Sequence, residues 1–263
     1  MRNPAIVLVA TQMPENIGAA ARAMMNFGLT DLRLVAPREE WPNKRAHDLA
    51  GHASGILDNA KIYATTREAV ADCRRVYAAT ARSREMVKEV WPPAEASARI
   101  LAEAVPTAIL FGPERTGLTN DDVTIADAII TIPTAPENAS LNIAQSVVVV
   151  AYQWFVSAWQ QEKESRDNDA APYAIPGRKL RGQPGTTGPQ ASPVAHKSEF
   201  ATKEDLQVLF DHLERELDAI DFWKVADKKP KMWLNLRNIF TRNALTQQEV
   251  RTLHGVIAEL RDS

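Results

Sequence analysis

The sequence predicts an α/β fold, in which helices cover a parallel β-sheet, followed by a small all-helical domain. Short apolar runs, for example at residues 5–10 and 108–111, alternate with longer segments of helical composition. Each run ends in turn-forming residues, which is typical of buried strands in a parallel sheet. After residue 160 the alternation stops, and polar sequence rich in Pro and Gly precedes further helical segments. We therefore expect one α/β domain and one helical domain.

The first strand, helix and strand occupy the start of the chain. Residues 5–10 form the first predicted strand, and the Ala- and Met-rich residues 17–27 form a helix that Gly28 ends. Residues 32–36 form the second strand, which Pro37 stops. A connection of this kind joins neighbouring parallel strands of a doubly wound sheet.

The middle of the chain continues this alternation. The predicted segments are, in order, a helix with a loop at 44–60, a strand at 61–64, a helical turn at 66–72, a strand at 75–79, a polar stretch at 80–93, a helix at 94–104, and strands at 108–111 and 128–132. Polar loops follow the last two strands, and the second loop leads into a long helix. Because open parallel sheets bind ligands at such strand ends, these loops predict a pocket for a small, nucleotide-like molecule.

Composition places the domain boundaries. We assign residues 1–160 to the α/β domain, 161–199 to a linker and 200–263 to the helical domain. Residues 162–197 carry five Pro and four Gly without a sustained apolar period, which is typical of a linker. The helical domain contains predicted helices at residues 202–217, 232–241 and 246–260, and the pairs Thr202 with Asp205 and Thr246 with Glu249 resemble capping boxes.

Charge and cysteine content exclude several classes of protein. The 263 residues have a net charge of -2, so RNA contacts would need a local basic patch. The single Cys73 excludes an internal disulfide and a thiolate cluster, and the five His are scattered, so we expect no metal site and a reducing, cytoplasmic setting. No apolar stretch approaches the roughly 20 residues of a membrane span, and the apolar run at the start is too short for a signal peptide.

Several familiar catalytic motifs are absent from the sequence. It has no G-x-G-x-x-G after the first strand, no P-loop and no G-x-S-x-G nucleophile elbow. Dinucleotide-binding, kinase and hydrolase functions therefore lose their usual support.

Three segments carry a specific signal instead. They are Asn16 to Arg22 after the first strand, GPERTG at 112–117, and Ser140-Leu-Asn142 at the start of the long helix. Together they resemble the three motifs of the SpoU branch of the SPOUT superfamily, which contains RNA 2'-O-ribose methyltransferases. The resemblance covers about residues 5–160. With TARSR from Thr80, FGPERTGLTN, ENASLNIAQSV and the helical tail, the chain is most similar to the J-type tRNA methyltransferases, which modify the ribose of cytidine or uridine 32 in the anticodon loop.

The resemblance implies a fold, a cofactor and partners. The C-terminal part of the sheet would be threaded into a trefoil knot, S-adenosylmethionine would bind to the knot loops, tRNA would be the substrate, and motif 1 of one subunit would complete the site of its partner in a homodimer. The implied cofactor contacts are Ala79, Thr80, Ala81, Gly112, Ile132, Ala139, Ser140 and Leu141. The implied catalytic residues are Arg22, Asn16, Ser140 and Asn142. Pro113 replaces the polar residue expected at that position in the family.

We also assign residues to RNA contacts. They are Arg22, Arg82, Arg84 and Glu114 in the first domain and Lys228, Lys229 and Lys231 in the tail, where Lys224, Arg237 and Arg242 add further positive charge. Such a patch is typical of phosphate contacts that dock a nucleic acid. The alternative is a solvated helix face, with the neighbouring Trp223 and Trp233 in the core.

The motif residues suit methyl transfer. A sulfonium methyl group is already activated, so the protein must align the attack and assist removal of the 2'-hydroxyl proton. We expect Gly112 and Gly117 to let the backbone approach the adenosine, and Ser140 to be the N-cap of the long helix, with Asn142 just inside it. Arg22 is the motif 1 arginine. Because the pKa of an arginine exceeds about 12, we expect it to position and activate the ribose rather than act as a simple base.

Structural alternatives remain for these residues. Arg22 would otherwise be a solvated helix residue, Asn16 a helix cap, Glu114 with Arg115 an ion pair that holds the loop, and Ser140 with Asn142 a simple helix start. Two functional alternatives also remain: methylation of another tRNA or rRNA ribose, and tRNA binding without catalysis.

Overall fold

A computed structural model describes residues 3–81, 88–113, 115–135, 137, 140–169, 199–223 and 226–261. Four residues that the resemblance assigns to RNA or to the cofactor lie outside this part of the chain: Arg82, Arg84, Glu114 and Ala139. Most of the predicted linker, together with Lys224, also lies outside it.

A seven-stranded sheet forms the centre of the described structure, and every strand pairing in it is parallel. The strands are β1 (Ala5–Val9), β2 (Leu32–Val35), β3 (Lys61–Tyr63), β4 (Arg75–Ala79), β5 (Glu89–Trp91), β6 (Thr107–Phe111) and β7 (Ala128–Ile130). Their order across the sheet is β3-β2-β1-β6-β4-β7-β5. The predicted parallel α/β architecture is therefore confirmed.

Helices cover both faces of this sheet. They are α1 (Pro14–Asn26), α2 (Lys44–Ala50), α3 (Ser54–Asp58), α4 (Thr66–Ala69), α5 (Pro93–Glu103), α6 (Asn120–Ile125), α7 (Ile143–Asp169), α8 (Lys203–Ala219), α9 (Lys229–Thr241) and α10 (Gln247–Arg261). Along β1, Ile6 and Leu8 face a core formed with α1, α2, α3, α5 and α7, whereas Ala5, Val7 and Val9 face a core formed with α4 and α6. Burial on both faces explains why β1 is a continuous apolar run rather than an alternating one.

Three elements differ from the sequence prediction. Strand β5 lies at the sheet edge within the predicted polar stretch, with Glu89 and Val90 exposed, so no apolar run marks it. Helix α6 was not predicted, although Thr119 and Asp122 form a capping box at its start. Helix α7 continues to Asp169, nine residues into the predicted linker, because residues 161–169 contain no Gly or Pro and include good helix formers.

The three C-terminal helices pack around a small apolar core. Its buried members are Ala201, Leu206, Leu209, Phe210 and Val250. Both predicted capping boxes are confirmed, since the hydroxyl of Thr202 accepts from Asp205 N at 3.1 Å and that of Thr246 accepts from Glu249 N at 3.3 Å.

The helical domain docks on the sheet face that carries α4 and α6. Lys203 Nζ donates to Asp127 Oδ1 at 2.7 Å, and Lys203 N donates to the carbonyl of Cys73 at 2.9 Å. The guanidinium of Arg75 lies 4.3 Å from the ring centre of Phe200, and Leu234 of α9 packs against the core of that face. Apolar, ionic and backbone contacts therefore join the two domains.

Candidate functional site

A cavity of about 270 Å³ lies at the carboxyl ends of β4, β6 and β7, next to the start of α7. Its lining residues are Ala79, Thr80, Ala81, Phe111, Gly112, Pro113, Gly117, Ile130, Ile132, Ser140, Leu141, Ile143 and Ser146. Seven of the eight residues that the resemblance assigns to the cofactor are in this set, and the eighth, Ala139, lies outside the described residues. The structure thus brings together segments more than 60 residues apart in the chain.

The loop after β6 folds tightly back on itself at Gly112. A Cβ at this position would lie 2.3 Å from Leu118 N and 2.6 Å from the carbonyl carbon of Gly117, which is closer than real Cβ atoms come. Gly117 adopts a φ of 66° and donates its N–H to the carbonyl of Pro113 at 2.7 Å. The fold of the loop itself therefore requires glycine at position 112.

A buried carboxylate anchors the far end of this loop. Asp122 Oδ2 accepts from the N–H and the hydroxyl of Thr119, at 2.8 and 2.7 Å. Asp122 Oδ1 accepts from the hydroxyl of Thr66 in α4 at 2.6 Å. The end of the loop is thereby fixed to two helices, α4 and α6.

Asn142, and not Ser140, caps α7. The helix begins at Ile143, and Asn142 Oδ1 accepts from Ala144 N at 2.8 Å. The prediction for Ser140 is wrong because the chain enters the helix two residues later, and Ser140 lines the cavity instead.

Asn142 also joins motif 1 to motif 3. Its Nδ2 donates to Asn16 Oδ1 at 3.1 Å, although 126 positions separate the two residues. Asn16 lies inside α1, whose N-cap is Met13, so the alternative that Asn16 is a helix cap is wrong. The side chain of Asn16 is thus held against the start of α7.

Arg22 is exposed on α1 and is not among the residues that line the cavity. Its guanidinium makes no hydrogen bond or ion pair with another described residue. Met25, one helical turn further, is 51% exposed on the same side of α1. Within one chain, the structure therefore does not bring Arg22 to the cavity.

The predicted RNA-binding lysines of the tail have different surroundings. Lys228 and Lys231 are exposed, whereas Lys229 forms ion pairs with Asp218 at 2.7 Å and Glu214 at 3.1 Å. Trp223 is buried, and Trp233 packs against the core of the helical domain. The two Trp thus have the core positions that the alternative gives them.

Sequence reasoning missed several residues of the cavity wall. Phe111, Ile143 and Ser146 lie within the motif segments FGPERTGLTN and ENASLNIAQSV but were not assigned to the cofactor, and Ile130 was predicted only as part of a strand. Ser146 lies one helical turn after Ile143, so the period of α7 could have identified it.

The described part of the chain holds neither a metal-binding cluster nor a membrane-spanning helix. No three His, Cys, Asp or Glu side chains there are grouped as a metal site requires. None of its helices combines the length and apolarity that a membrane crossing needs.

Comparisons with known proteins agree with this geometry. The sequence profile of the SpoU rRNA Methylase family matches residues 3–152, and the profile of the C-terminal domain of tRNA methyltransferase TrmJ matches residues 204–263. The tRNA (cytidine/uridine-2'-O-)-methyltransferase TrmJ of Klebsiella pneumoniae is 34% identical over 267 residues, which cover 99% of this chain and 97% of that protein.

Two solved structures extend the comparison. The crystal structure of TrmJ from Z. mobilis ZM4 is 39% identical, with a TM-score of 0.80, over 98% of this chain and 99% of that one. A probable methylase family protein from Haemophilus influenzae is 28% identical, with a TM-score of 0.60, over 99% and 97% of the two chains. The chain therefore belongs to the SpoU methylase family and, within it, to the TrmJ group.

Proposed function

We propose that this protein transfers a methyl group from S-adenosylmethionine to the 2'-hydroxyl of nucleotide 32, a cytidine or uridine, in the anticodon loop of tRNA. One observation carries the proposal: seven residues that the resemblance assigns to the cofactor surround a single cavity. Relatives named as tRNA (cytidine/uridine-2'-O-)-methyltransferases match nearly the whole chain, including the helical domain, and support tRNA as the substrate. This substrate also implies a cytoplasmic protein.

The cavity suits a nucleoside with an amino-acid tail. Its volume of about 270 Å³ is just below the roughly 300–1,000 Å³ that is typical of small-molecule sites. Apolar side chains such as Ile130, Ile132 and Leu141 can pack against a base, while the backbone groups of the Gly112 loop can bind its polar edge. When bound there, S-adenosylmethionine supplies a methyl group that needs no further activation.

The remaining task of the chain is to hold the ribose. Asn16 and Asn142 are joined at the start of α7 beside the cavity, where their amides can fix a ribose hydroxyl. Arg22 would orient and polarise that hydroxyl, because a guanidinium donates hydrogen bonds but does not readily accept a proton.

A homodimer would supply this arginine. Helix α7 carries an exposed apolar stripe of Val148, Tyr152, Phe155 and Trp159, spaced four, three and four residues apart on one face. The ring of Phe27, just after α1, contacts Tyr152 and Phe155 at 5.8 and 6.1 Å. The stripe therefore continues onto the surface near Met25 and Arg22, and a second copy that covers it would bring Arg22 to the interface.

We include the trefoil knot in the proposal. The parallel order of β6, β4 and β7 supports it, and a trace of the chain crossings in a crystal structure would test it.

Labelled methyl donor and synthetic tRNA test the target. A tRNA with a 2'-deoxyribose at nucleotide 32 should accept no label, whereas a tRNA with the same change at nucleotide 34 should be methylated normally. If the tRNA with a 2'-deoxyribose at nucleotide 32 were labelled, the methylated ribose would be that of another nucleotide. Absence of transfer to any tRNA would favour binding without catalysis.

Subunit mixing tests the shared site. Arg22→Ala and Gly112→Ala should each impair the homodimer, in the first case through substrate positioning and in the second through the cofactor loop. In a mixed dimer, the Arg22→Ala subunit contributes an intact loop and the Gly112→Ala subunit contributes an intact Arg22, so one complete site forms. Mixing the two variants should therefore restore up to half of the activity of the unmodified dimer. If activity is not restored although mixed dimers form, Arg22 does not act across the interface.

A further inference from the structure

A small cleft lies between the two domains, away from the methyltransferase cavity. Arg67 and Val70 border it on one side, Lys203, Gln207 and Phe210 of α8 on another, and Ile125, Leu206, Arg237 and Thr241 complete it. Two structural units thus contribute basic side chains to one concave surface.

Two of these cations form no ion pair with a carboxylate in the described part of the chain. The Nε atom of Arg237 is buried without a hydrogen-bond partner, while its guanidinium lies 5.4 Å from the ring centre of Phe210. Arg67 is exposed, and no carboxylate of the described residues pairs with it. Lys203 differs, because it is bonded to Asp127 at 2.7 Å. The charge of the cleft is therefore only partly balanced.

The surroundings increase this imbalance. Burial lowers the pKa of Arg237, and the positive charge of Arg67 lowers it further. Burial also lowers the pKa of the neighbouring Lys88 to about 7, with Lys203 and Arg237 contributing. Asp121, Asp211 and Glu214 attract Arg237, but none of these carboxylates forms an ion pair with it. An anion at the mouth of the cleft would stabilise the charges of Arg67 and Arg237 together.

The size of the cleft limits what can enter it. Its volume of about 20 Å³ is close to the roughly 10–15 Å³ that one water needs on this measure. A base or a ribose cannot fit, whereas one oxygen of a phosphate can, with the rest of the group outside. Arg67 and Arg237 carry the planar donor groups that suit such an oxyanion.

We propose that the cleft between Arg67 and Arg237 is a docking point for a single backbone phosphate of the RNA substrate. The identity of the ligand rests on the proposed function, because tRNA is the polyphosphate that the protein would bind. The site uses both domains at once, so RNA bound there would hold the helical domain against the sheet. It would fix the orientation of the RNA without reading its sequence.

The salt dependence of tRNA binding by the full chain tests this proposal. Each lost phosphate contact should lower the slope of log Kd against log salt by roughly 0.7 to 0.9. We expect this reduction for Arg67→Gln and for Arg237→Gln. Arg251→Gln is the matched control, because Arg251 is an exposed arginine of α10 outside the cleft, and its replacement should leave the slope unchanged.

Each outcome has a defined meaning. If Arg237→Gln unfolds the protein, Arg67→Gln decides alone, because the side chain of Arg67 is exposed and forms no hydrogen bond or ion pair with another described residue. An unchanged slope for Arg67→Gln, or an equal reduction for Arg251→Gln, would overturn the proposal. A third outcome separates free phosphate from RNA. If inorganic phosphate raises the melting temperature of the unmodified protein, and all variants bind tRNA with the same salt slope as that protein, the cleft binds free phosphate and the RNA assignment fails.

Methyl transfer is measured on the same samples. If the Arg67 and Arg237 variants show a reduced salt slope but the unmodified protein transfers no methyl group, the phosphate site is supported and the methyltransferase proposal is refuted. If the unmodified protein transfers methyl groups but the variants keep its salt slope, the methyltransferase proposal is supported and the phosphate site is refuted.

Discussion

Gly112 is the residue whose absent side chain matters most to the cavity. The backbone of Gly117 and Leu118 occupies the space where any Cβ at position 112 would lie. The sequence identified this glycine through its motif, but not the atoms that require it, because the contact depends on how the loop closes in three dimensions.

Replacement of Gly112 should therefore damage the loop. We expect Gly112→Ala to destabilise the protein by about 1–3 kcal/mol, as overpacking does, and to weaken binding of the methyl donor at least about tenfold. Calorimetric titration and thermal unfolding measure the two effects. Gly55→Ala in α3 is the control, since its Cβ meets nothing within 4 Å, and it should leave stability unchanged or raise it by up to about 1 kcal/mol. Equal behaviour of the two variants would contradict the steric argument.

Asn142 has two functions that substitution can separate. Asn142→Ala should lose the helix cap, about 1 kcal/mol of stability, and also the contact with Asn16. Asn142→Ser should keep a capping oxygen but be too short to reach Asn16. We therefore expect Ser to preserve the stability measured by urea unfolding, while both variants slow methyl transfer by roughly 2–10-fold. A fully active Asn142→Ser would show that the link to Asn16 does not serve the reaction.

At the scale of elements, sequence patterns predicted those helix starts and strands that depend only on neighbouring residues. The capping boxes at Thr202 and Thr246 and the apolar runs of β1, β4 and β6 were recognisable because neighbouring residues alone explain them. Strand β5 was missed because its pairing with β7 and not its composition makes it a strand. The proximity of Asn16 to Asn142 could only come from the motif resemblance, since no local pattern links residues 126 positions apart.

The pairing of α8 with α10 should respond to pH. Burial and the facing His212, whose Nδ1 lies 2.8 Å from Nδ1 of His254, lower the pKa of His254, while Glu216 lies 3.8 Å from His212 Nε2. As the pH falls through about 6.5, His254 of the unfolded chain therefore takes up a proton more readily than His254 of the folded chain. The free energy of unfolding of the helical domain should decrease in this pH range.

His47 should show the opposite sign. Its hydrogen bonds to the carbonyl of Asn43 and to Asp58 raise its pKa, so its contribution is complete below about pH 6.5 and is lost as the pH rises through its folded pKa. Titration of the ring protons by NMR should give His254 a lower pKa than His47, and the reverse order would refute at least one of the two assignments.

Replacement of His254 tests its part in the loss of stability at low pH. In His254→Gln, the free energy of unfolding should fall less steeply as the pH decreases.

At the scale of the whole molecule, Asp127 joins the two domains. One of its oxygens accepts from Val76 N within the sheet, and the other accepts from Lys203 of α8, both at 2.7 Å. The side chains of Lys203 and Asp127 are only 5% and 11% exposed, so removal of the Asp127 carboxylate leaves the ammonium group of Lys203 buried without its ion-pair partner.

Loss of this carboxylate should be costly. We expect Asp127→Ala to reduce the free energy of unfolding by about 3–5 kcal/mol and to speed hydrogen exchange at the amides of Lys203 and Glu204, which bond to the carbonyls of Cys73 and Ala71. Asp48→Ala is the control, because its pair with Lys44 is 61% and 86% exposed and should contribute less than about 1 kcal/mol. Similar losses for both variants would mean that the bridge does not hold the domains together.

Helix α7 sets the distance between the cavity and its own C-terminal end at Asp169. Its first turn forms part of the cavity wall, Trp154 is the last buried side chain among residues 143–164, and its 27 residues span about 40 Å. One end of the helix is thus fixed at the cavity, and its other end lies well beyond Trp154. We therefore expect insertions or deletions after Asp169 to leave the cavity unchanged.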